Sequence, residues 1–382
     1  MNFLIFLTAF SAVFLNRFGL NVIGDFSLSF SFIFLYLTLS FGVIKGLLFV
    51  NFKTLYLFLG VVFAGCISYM YGKEFKSLPS FLLFLFVYFP FIFEKKSASS
   101  SSSDFLRLFY PLFLIVATAG IAQFFLQFFY KPDWLFDYRP FLPDLVRNKN
   151  PMNTVIPFAG FIKSNGFFLL EPSGFSQMMS FGLYFCTISP YSFLSFFIFF
   201  TGLIVSFSGT GFILFMLSSF ISVLFCSSWR KYFLFIALVC FLASSLFFKD
   251  FSIFSRLEEF SSTTQMETSS AAARFINPSI TLKESLFVSP GAFLFGEGPG
   301  TITRLQKDYQ AHDPVWAKLF YEYGFFGGIL FLLYILFSVS RENVRKDLSL
   351  LFFVQWFFLG GHLLSLDTVS IYIIYYKLSG CE

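Results

Sequence analysis

The chain is 382 residues long, 57% hydrophobic and only 12% charged, with a formal net charge of +5 and a mean hydropathy of +0.77. That balance excludes a soluble globular or disordered protein and describes a polytopic integral membrane protein. The basic excess falls largely in short loops between apolar runs, which argues against a nucleic-acid-binding stripe and makes anionic lipid the simpler partner. The 68 phenylalanines occupy positions where lipid accepts any apolar side chain, so they say little about function. Cys66, Cys186, Cys226, Cys240 and Cys381 show no Cys-x-x-Cys spacing, which argues against a disulfide framework or a zinc site.

Apolar runs appear near 3–22, 26–44, 54–71, 78–93, 105–129, 167–187, 191–207, 210–227, 232–248, 314–339 and 348–366, with a final short one near 368–378. They predict an all-α helical bundle of about 11 or 12 transmembrane spans forming a single transmembrane domain over 1–382. The first stretch has no basic residue before it and no small-x-small cleavage site, so it reads as a span and not as a removed signal peptide. With the N-terminus in the cytoplasm, the inner connections carry Lys45, Lys53, Lys95, Lys96, Arg107, Arg230, Lys231, Arg341, Arg345 and Lys346, against Arg17, Lys73 and Lys76 in the short outer ones. Lysine and arginine resist translocation, so two long polar loops, 130–166 and 249–313, are expected to be extracytoplasmic. The short Ser206–Thr210 connection falls on the same face. The run Ser97–Ser103 is a solvated cytoplasmic connector by composition.

Glu171 and Pro172 stand where the polar string Lys163-Ser-Asn-Gly gives way to an apolar helix. An ionisable group at that depth is expensive and calls for a reason. In the second loop, 269–287 reads as an interfacial helix with Arg274 near its start, despite Pro278. Gly296-Glu-Gly-Pro-Gly300 follows as a turn whose glycines free backbone N–H groups to face an anion. His312 and Asp313 then precede a span containing Glu322, Gly324 and Gly327.

This ordered set resembles the O-antigen polymerase and ligase superfamily: a basic residue, Gly-Phe-Phe and Glu-Pro-Ser at a helix mouth, a Ser-Gly-Thr turn, an outer-loop arginine, Gly-x-Gly-Pro-Gly, and His-Asp ahead of Glu-x-Gly-x-x-Gly. The resemblance covers roughly 160–330. It implies an all-helical membrane glycosyltransferase of the bacterial inner membrane that polymerises undecaprenyl-diphosphate-linked oligosaccharide repeats on the outer face, inverting and without metal or other cofactor. Carried over, the catalytic residues are Glu171, Arg274 and His312. Diphosphate and sugar contacts fall to Arg147, Lys163, Ser173, Gln177, Gly298 and Gly300. Implied partners are the lipid-linked oligosaccharide, the bilayer, and a flippase and chain-length regulator of the same pathway, with no nucleic acid. Two departures stand out: Lys163 occupies a position where the family more often has Arg, and the spacing from His312 to Gly324 is one residue longer than the commoner pattern.

The chemistry asks for such residues. A glycosyl diphosphate needs cations to stabilise the departing charge and a base to take the proton of the incoming hydroxyl. Arginine suits phosphate because its planar fork matches the oxygens, which lysine cannot do. Plainer readings stand beside these. Glu171 fits a helix N-terminus followed by a first-turn proline, Arg274 an interfacial anchor, and His312 a cap near a helix start. Glu322 pairs with Lys318 one turn earlier, and Ser206–Thr210 serves as a tight connection. His362 has no assignment. Alternative functions are an O-antigen ligase acting on lipid A core or protein and, in another class, a flippase or exporter of lipid-linked saccharides, which would place ionisable residues at mid-membrane and show matching halves.

Overall fold

A computed structural model describes residues 1–23, 26–72, 75–96, 101–149, 154–158, 160–188, 193–225, 234–239, 272–305, 312–340 and 344–379. Most of the expected span near 232–248, the second loop up to 271, the first residues of the Ser97–Ser103 connector, and Cys226, Cys240 and Cys381 lie outside the described residues.

The described chain is mainly helical: α1 (Asn2–Phe14), α2 (Phe30–Ile44), α3 (Phe52–Tyr71), α4 (Leu78–Tyr88), α5 (Ser101–Leu126), α6 (Pro172–Ile188), α7 (Phe193–Val205), α8 (Gly209–Phe225), α9 (Ala272–Phe275), α10 (Asn277–Leu286), α11 (Pro290–Phe295), α12 (Val315–Val339), α13 (Lys346–Phe358) and α14 (Leu366–Ile373). Among the described residues three helices are long and apolar enough to cross a membrane, Phe52–Tyr71, Ser103–Leu126 and Val315–Val339. Asn2–Phe14, Phe30–Ile44, Leu78–Ile92, Phe193–Val205 and Gly209–Phe225 are apolar and shorter.

The difference from the sequence expectation is clearest at the N-terminus. The apolar stretch 3–22 is helical only to Phe14, because the Asn16 amide turns back onto the Ala12 and Val13 carbonyls at 2.7 and 3.3 Å and takes the acceptors that the next turn would use. The chain then forms an antiparallel pair, Gly19–Ile23 with Phe26–Ser29. Two other short pairs, Leu48–Val50 with Phe93–Lys95 and Pro157–Phe158 with Phe161–Ile162, close connections between helices. The predicted second-loop helix is present in two pieces, α9 and α10, with Pro278 tolerated because it falls in the first turn of α10, where no N–H is required.

α6 is the central element. It packs against α5, α7 and α8, while α3 lies along α12, and α1 along α2 and α14. A close approach between α5 and α6 is made by glycine: a Cβ on Gly120 would stand 2.4 Å from the Phe175 ring. Phe175 fills the space so released and is fully buried. Elsewhere the core is aromatic, with Phe84 against Tyr323, Phe331 and Tyr88 at ring distances of 4.6, 4.9 and 5.3 Å.

Candidate functional site

The approach to α6 is held by three buried polar residues, Asn165 within it and Gln123 and Arg17 from elsewhere in the chain. The Gln123 carbonyl, on α5, accepts from the Ser164 hydroxyl at 2.9 Å and from the Asn165 and Phe167 amides at 3.2 and 3.3 Å. The Asn165 amide donates to the Phe136 and Thr154 carbonyls at 2.9 and 3.1 Å. Arg17, with no solvent exposure, donates to the Phe136 and Leu169 carbonyls at 2.8 and 2.9 Å and to Asp137 at 3.1 Å. Burial lowers its guanidinium to about 10, so it stays charged at neutral pH. Burial also works against the Asp137 carboxylate, but the hydrogen bonds and charges of Arg139 and Arg17 outweigh it and hold the group below its ordinary value. Gly166 and Phe167 both take positive φ, and the chain reverses there into Leu169, Leu170 and Glu171.

Glu171 directly precedes α6, and its carbonyl accepts the Phe175 amide at 3.2 Å. Its carboxylate takes the Ser173 hydroxyl at 2.9 Å. Both the helix N-terminus and Pro172 in the first turn match the sequence pattern. Arg274, on α9, is close enough to sense this carboxylate: burial lowers the guanidinium and the Glu171 charge pulls it back up. The Arg274 Nε is buried and finds no acceptor among the described residues. His312 is brought beside Arg274 through the backbone, its amide donating to the Ala273 carbonyl at 2.7 Å. Desolvation and the Arg274 charge lower the imidazole below its ordinary value, with Glu171 and Asp313 opposing, so His312 is neutral at neutral pH. Glu171, Arg274 and His312, far apart in sequence, therefore form one electrostatic group.

His362 joins them, and the sequence alone left it unassigned. α13 ends at Phe358, and His362 lies in the turn before α14, outside either helix. Burial and the Arg274 charge depress its pKa to about 4. Gln355, one helix earlier, extends the polar cluster: its amide donates to the Gln177 carbonyl at 2.7 Å, its own carbonyl accepts the Tyr372 hydroxyl, and the Gln177 amide reaches the Leu359 carbonyl at 3.2 Å.

The other candidate residues occupy different surroundings. Lys163 is buried, with its ammonium 4.6 Å from the centre of the Phe158 ring. Arg147 is ion-paired with Asp144 and forms an isolated antiparallel bridge to Phe18. Gly298 and Gly300 adopt φ of 99° and 76° in a turn packed against Gly72, Ser77 and Ser80. Here the Gly300 and Ile302 amides face the Glu322 carboxylate, an anion supplied by the protein itself. Glu322 is buried on α12, with Lys318 3.9 Å away, as the spacing of four predicts. The Ser206–Thr210 connection is tied by Ser206 to Leu203 at 2.6 Å, and just before it the Val205 carbonyl at the end of α7 accepts the Ser164 amide at 3.1 Å.

Gln123 and Arg17 were readable as polar residues inside or beside apolar runs, but nothing local gave their partners. No protein-family model, curated protein or solved structure matches the chain.

Proposed function

We propose that the chain polymerises lipid-linked oligosaccharide repeat units, transferring a saccharide from an undecaprenyl-diphosphate donor to a sugar hydroxyl at the outer face of the bacterial inner membrane, through a bundle of about 11 or 12 spans. The observation that carries this reading is the grouping of Glu171, Arg274 and His312 at the mouth of α6, with the Arg274 Nε buried and without an acceptor among the described residues. A buried cationic donor without a partner is costly, and an anionic group of the substrate relieves it.

In the step itself, the acceptor oxygen forms a bond to the anomeric carbon as the bond to the diphosphate oxygen breaks. The electron pair leaves with the diphosphate, whose charge Arg274 stabilises. The hydroxyl proton passes to Glu171 or to the neutral imidazole of His312. Attack from the face opposite the leaving group inverts the anomeric centre.

The test is an Arg274→Ala strain whose glycolipids are run on a gel. Loss of polymer with accumulation of single lipid-linked repeats is the expected outcome. Repeats trapped on the cytoplasmic side would replace the reading with a flippase, and free polymer beside bare lipid A core would replace it with a ligase.

A further inference from the structure

A groove of about 900 Å³ runs along α4, and no member of the Glu171, Arg274 and His312 group lines it. Ser77, Ser80 and Arg304 stand at one end, where α4 begins. Phe58 of α3 and Phe89 close the other end, their rings 5.8 Å apart. Between the ends the wall is apolar, and Leu82 is exposed along it.

The polar end is cationic. Arg304 is the one charged side chain among the described residues of the lining. It is exposed and held over the start of α4 by the Phe75 carbonyl, which accepts from its Nη1 at 2.9 Å and leaves donors of the planar fork for a phosphate. Lys76, beside the helix cap, brings a second cation, its ammonium 5.2 Å from the centre of the Tyr69 ring. Ser77 caps α4: its hydroxyl accepts the Ser80 amide at 3.3 Å and keeps its own proton to donate. The positive end of the α4 dipole adds to both cations.

The groove has the length of a lipid chain. Charged side chains stay at the surface of a bilayer, so from Arg304 the groove descends into hydrocarbon. At about 1.5 Å per residue the stretch from Ser77 to Phe89 is about 18 Å long. One leaflet, half of the hydrocarbon core, is about 15 Å deep. A phospholipid acyl chain ends at that depth, whereas an undecaprenyl chain is far longer than the groove. The volume lies within the roughly 300–1,000 Å³ of ligand-binding clefts, which share an apolar wall with a few convergent polar groups.

We infer that this groove seats one anionic phospholipid of the bilayer, with its phosphate on Arg304 and Ser77 and an acyl chain along α4. Such a lipid joins two parts of the chain. The Ser77 amide already donates to the Pro299 carbonyl at 2.8 Å, and Gly300 packs on Ser77 and Ser80. A phosphate shared by Arg304 and Ser77 fastens the 296–305 segment, whose Gly300 and Ile302 amides face Glu322, to the start of α4. The site holds whether or not the chain transfers sugars.

Full-length protein, stripped of lipid in detergent, is titrated with phosphatidylglycerol, phosphatidylcholine or undecaprenyl phosphate while its melting temperature is followed. Phosphatidylglycerol is expected to raise that temperature by about 5 °C at saturation, and phosphatidylcholine by much less. Arg304→Gln is expected to raise the half-saturating concentration of phosphatidylglycerol about tenfold. Leu82→Trp, which fills the groove and leaves the cations in place, is expected to abolish the response. An equal response to phosphatidylcholine, or an unchanged one in Arg304→Gln, overturns the phosphate assignment. An unchanged response in Leu82→Trp puts the lipid elsewhere and overturns the groove, and this variant decides the matter should Arg304→Gln fail to fold. Half-saturation at a lower concentration of undecaprenyl phosphate overturns the phospholipid in favour of the carrier lipid. The glycosyl-transfer reading fails separately, by normal polymer from Arg274→Ala.

Discussion

Arg17 donates to the Leu169 carbonyl at 2.9 Å, joining the turn after α1 to the segment that delivers Glu171 two residues later. The same guanidinium lies 4.7 Å from the centre of the Tyr138 ring and pairs with Asp137. One side chain from the turn just after the N-terminal helix thus ties down the segment from which the site carboxylate emerges.

Arg17→Met should therefore destabilise the protein by about 3–5 kcal/mol, because it strands buried carbonyls and part of the Asp137 charge. Arg17→Lys keeps the charge but not the fork, and should fall between. Thermal unfolding of the purified chain in detergent measures both, and a wild-type melting curve for Arg17→Met would show that the contacts are replaceable.

Glu171→Gln keeps the shape of the helix mouth and the Ser173 contact while removing the charge. If Glu171 takes the hydroxyl proton, turnover in membranes should fall by about a hundredfold or more. Retained polymer length would leave Glu171 with an orienting duty and move the proton to His312, for which His312→Gln is the matching variant.

Both histidines of the group lie below their ordinary pKa in the folded protein. The folded state thus binds fewer protons than the unfolded chain between pH 6.5 and about 4, and stability is lost as the pH falls through that window. For His362 the drop from 6.5 to about 4 corresponds to roughly 3 kcal/mol. Melting temperature measured from pH 7 to pH 4 should decline, and His362→Asn should flatten the decline.

Lys318 and Glu322 should show strong coupling in a double-mutant cycle. Lys318→Met alone leaves a buried carboxylate without its cation and should cost about 3 kcal/mol. Adding Glu322→Gln should recover part of that loss, since the turn amides can then face a neutral carbonyl. Additive losses in unfolding experiments would rule the pair out as a unit.

Gly324 has φ 66° and ψ −176°, and a Cβ there would stand 2.4 Å from the Leu294 carbonyl oxygen. Gly324→Ala should cost about 2–5 kcal/mol from strain and overlap together. Gly60→Ala on α3, where a Cβ meets nothing within 4 Å, is the control and should be neutral or slightly stabilising.

Much of this was legible because the signals are local. Glu171-Pro172 announced a helix start, the spacing of Lys318 and Glu322 announced their pairing, and the glycines of 296–300 announced a turn. What stayed hidden depends on distant partners. Nothing near Arg17 says that a loop more than a hundred residues later will cover it, so the apolar stretch 3–22 read as one span. His362 stands in an apolar run and gains its meaning only when α9 brings Arg274 to it. The Gly296–Gly300 turn was legible as an anion cradle, but not that Glu322 of the next helix would face its amides.

The break at Gly324 also bears on how the protein is built. Interrupting α12 there leaves the Tyr321 and Glu322 carbonyls to be satisfied from outside the helix, by the Glu297 and Gly298 amides at 2.9 and 3.0 Å and by the Ser68 hydroxyl at 2.6 Å. In hydrocarbon an unpaired carbonyl costs several kcal/mol. Residues 315–339 consequently cannot settle in the bilayer as a self-sufficient rod. The hydrogen bonding of this helix is completed only by the preceding loop and α3, which close around the gap.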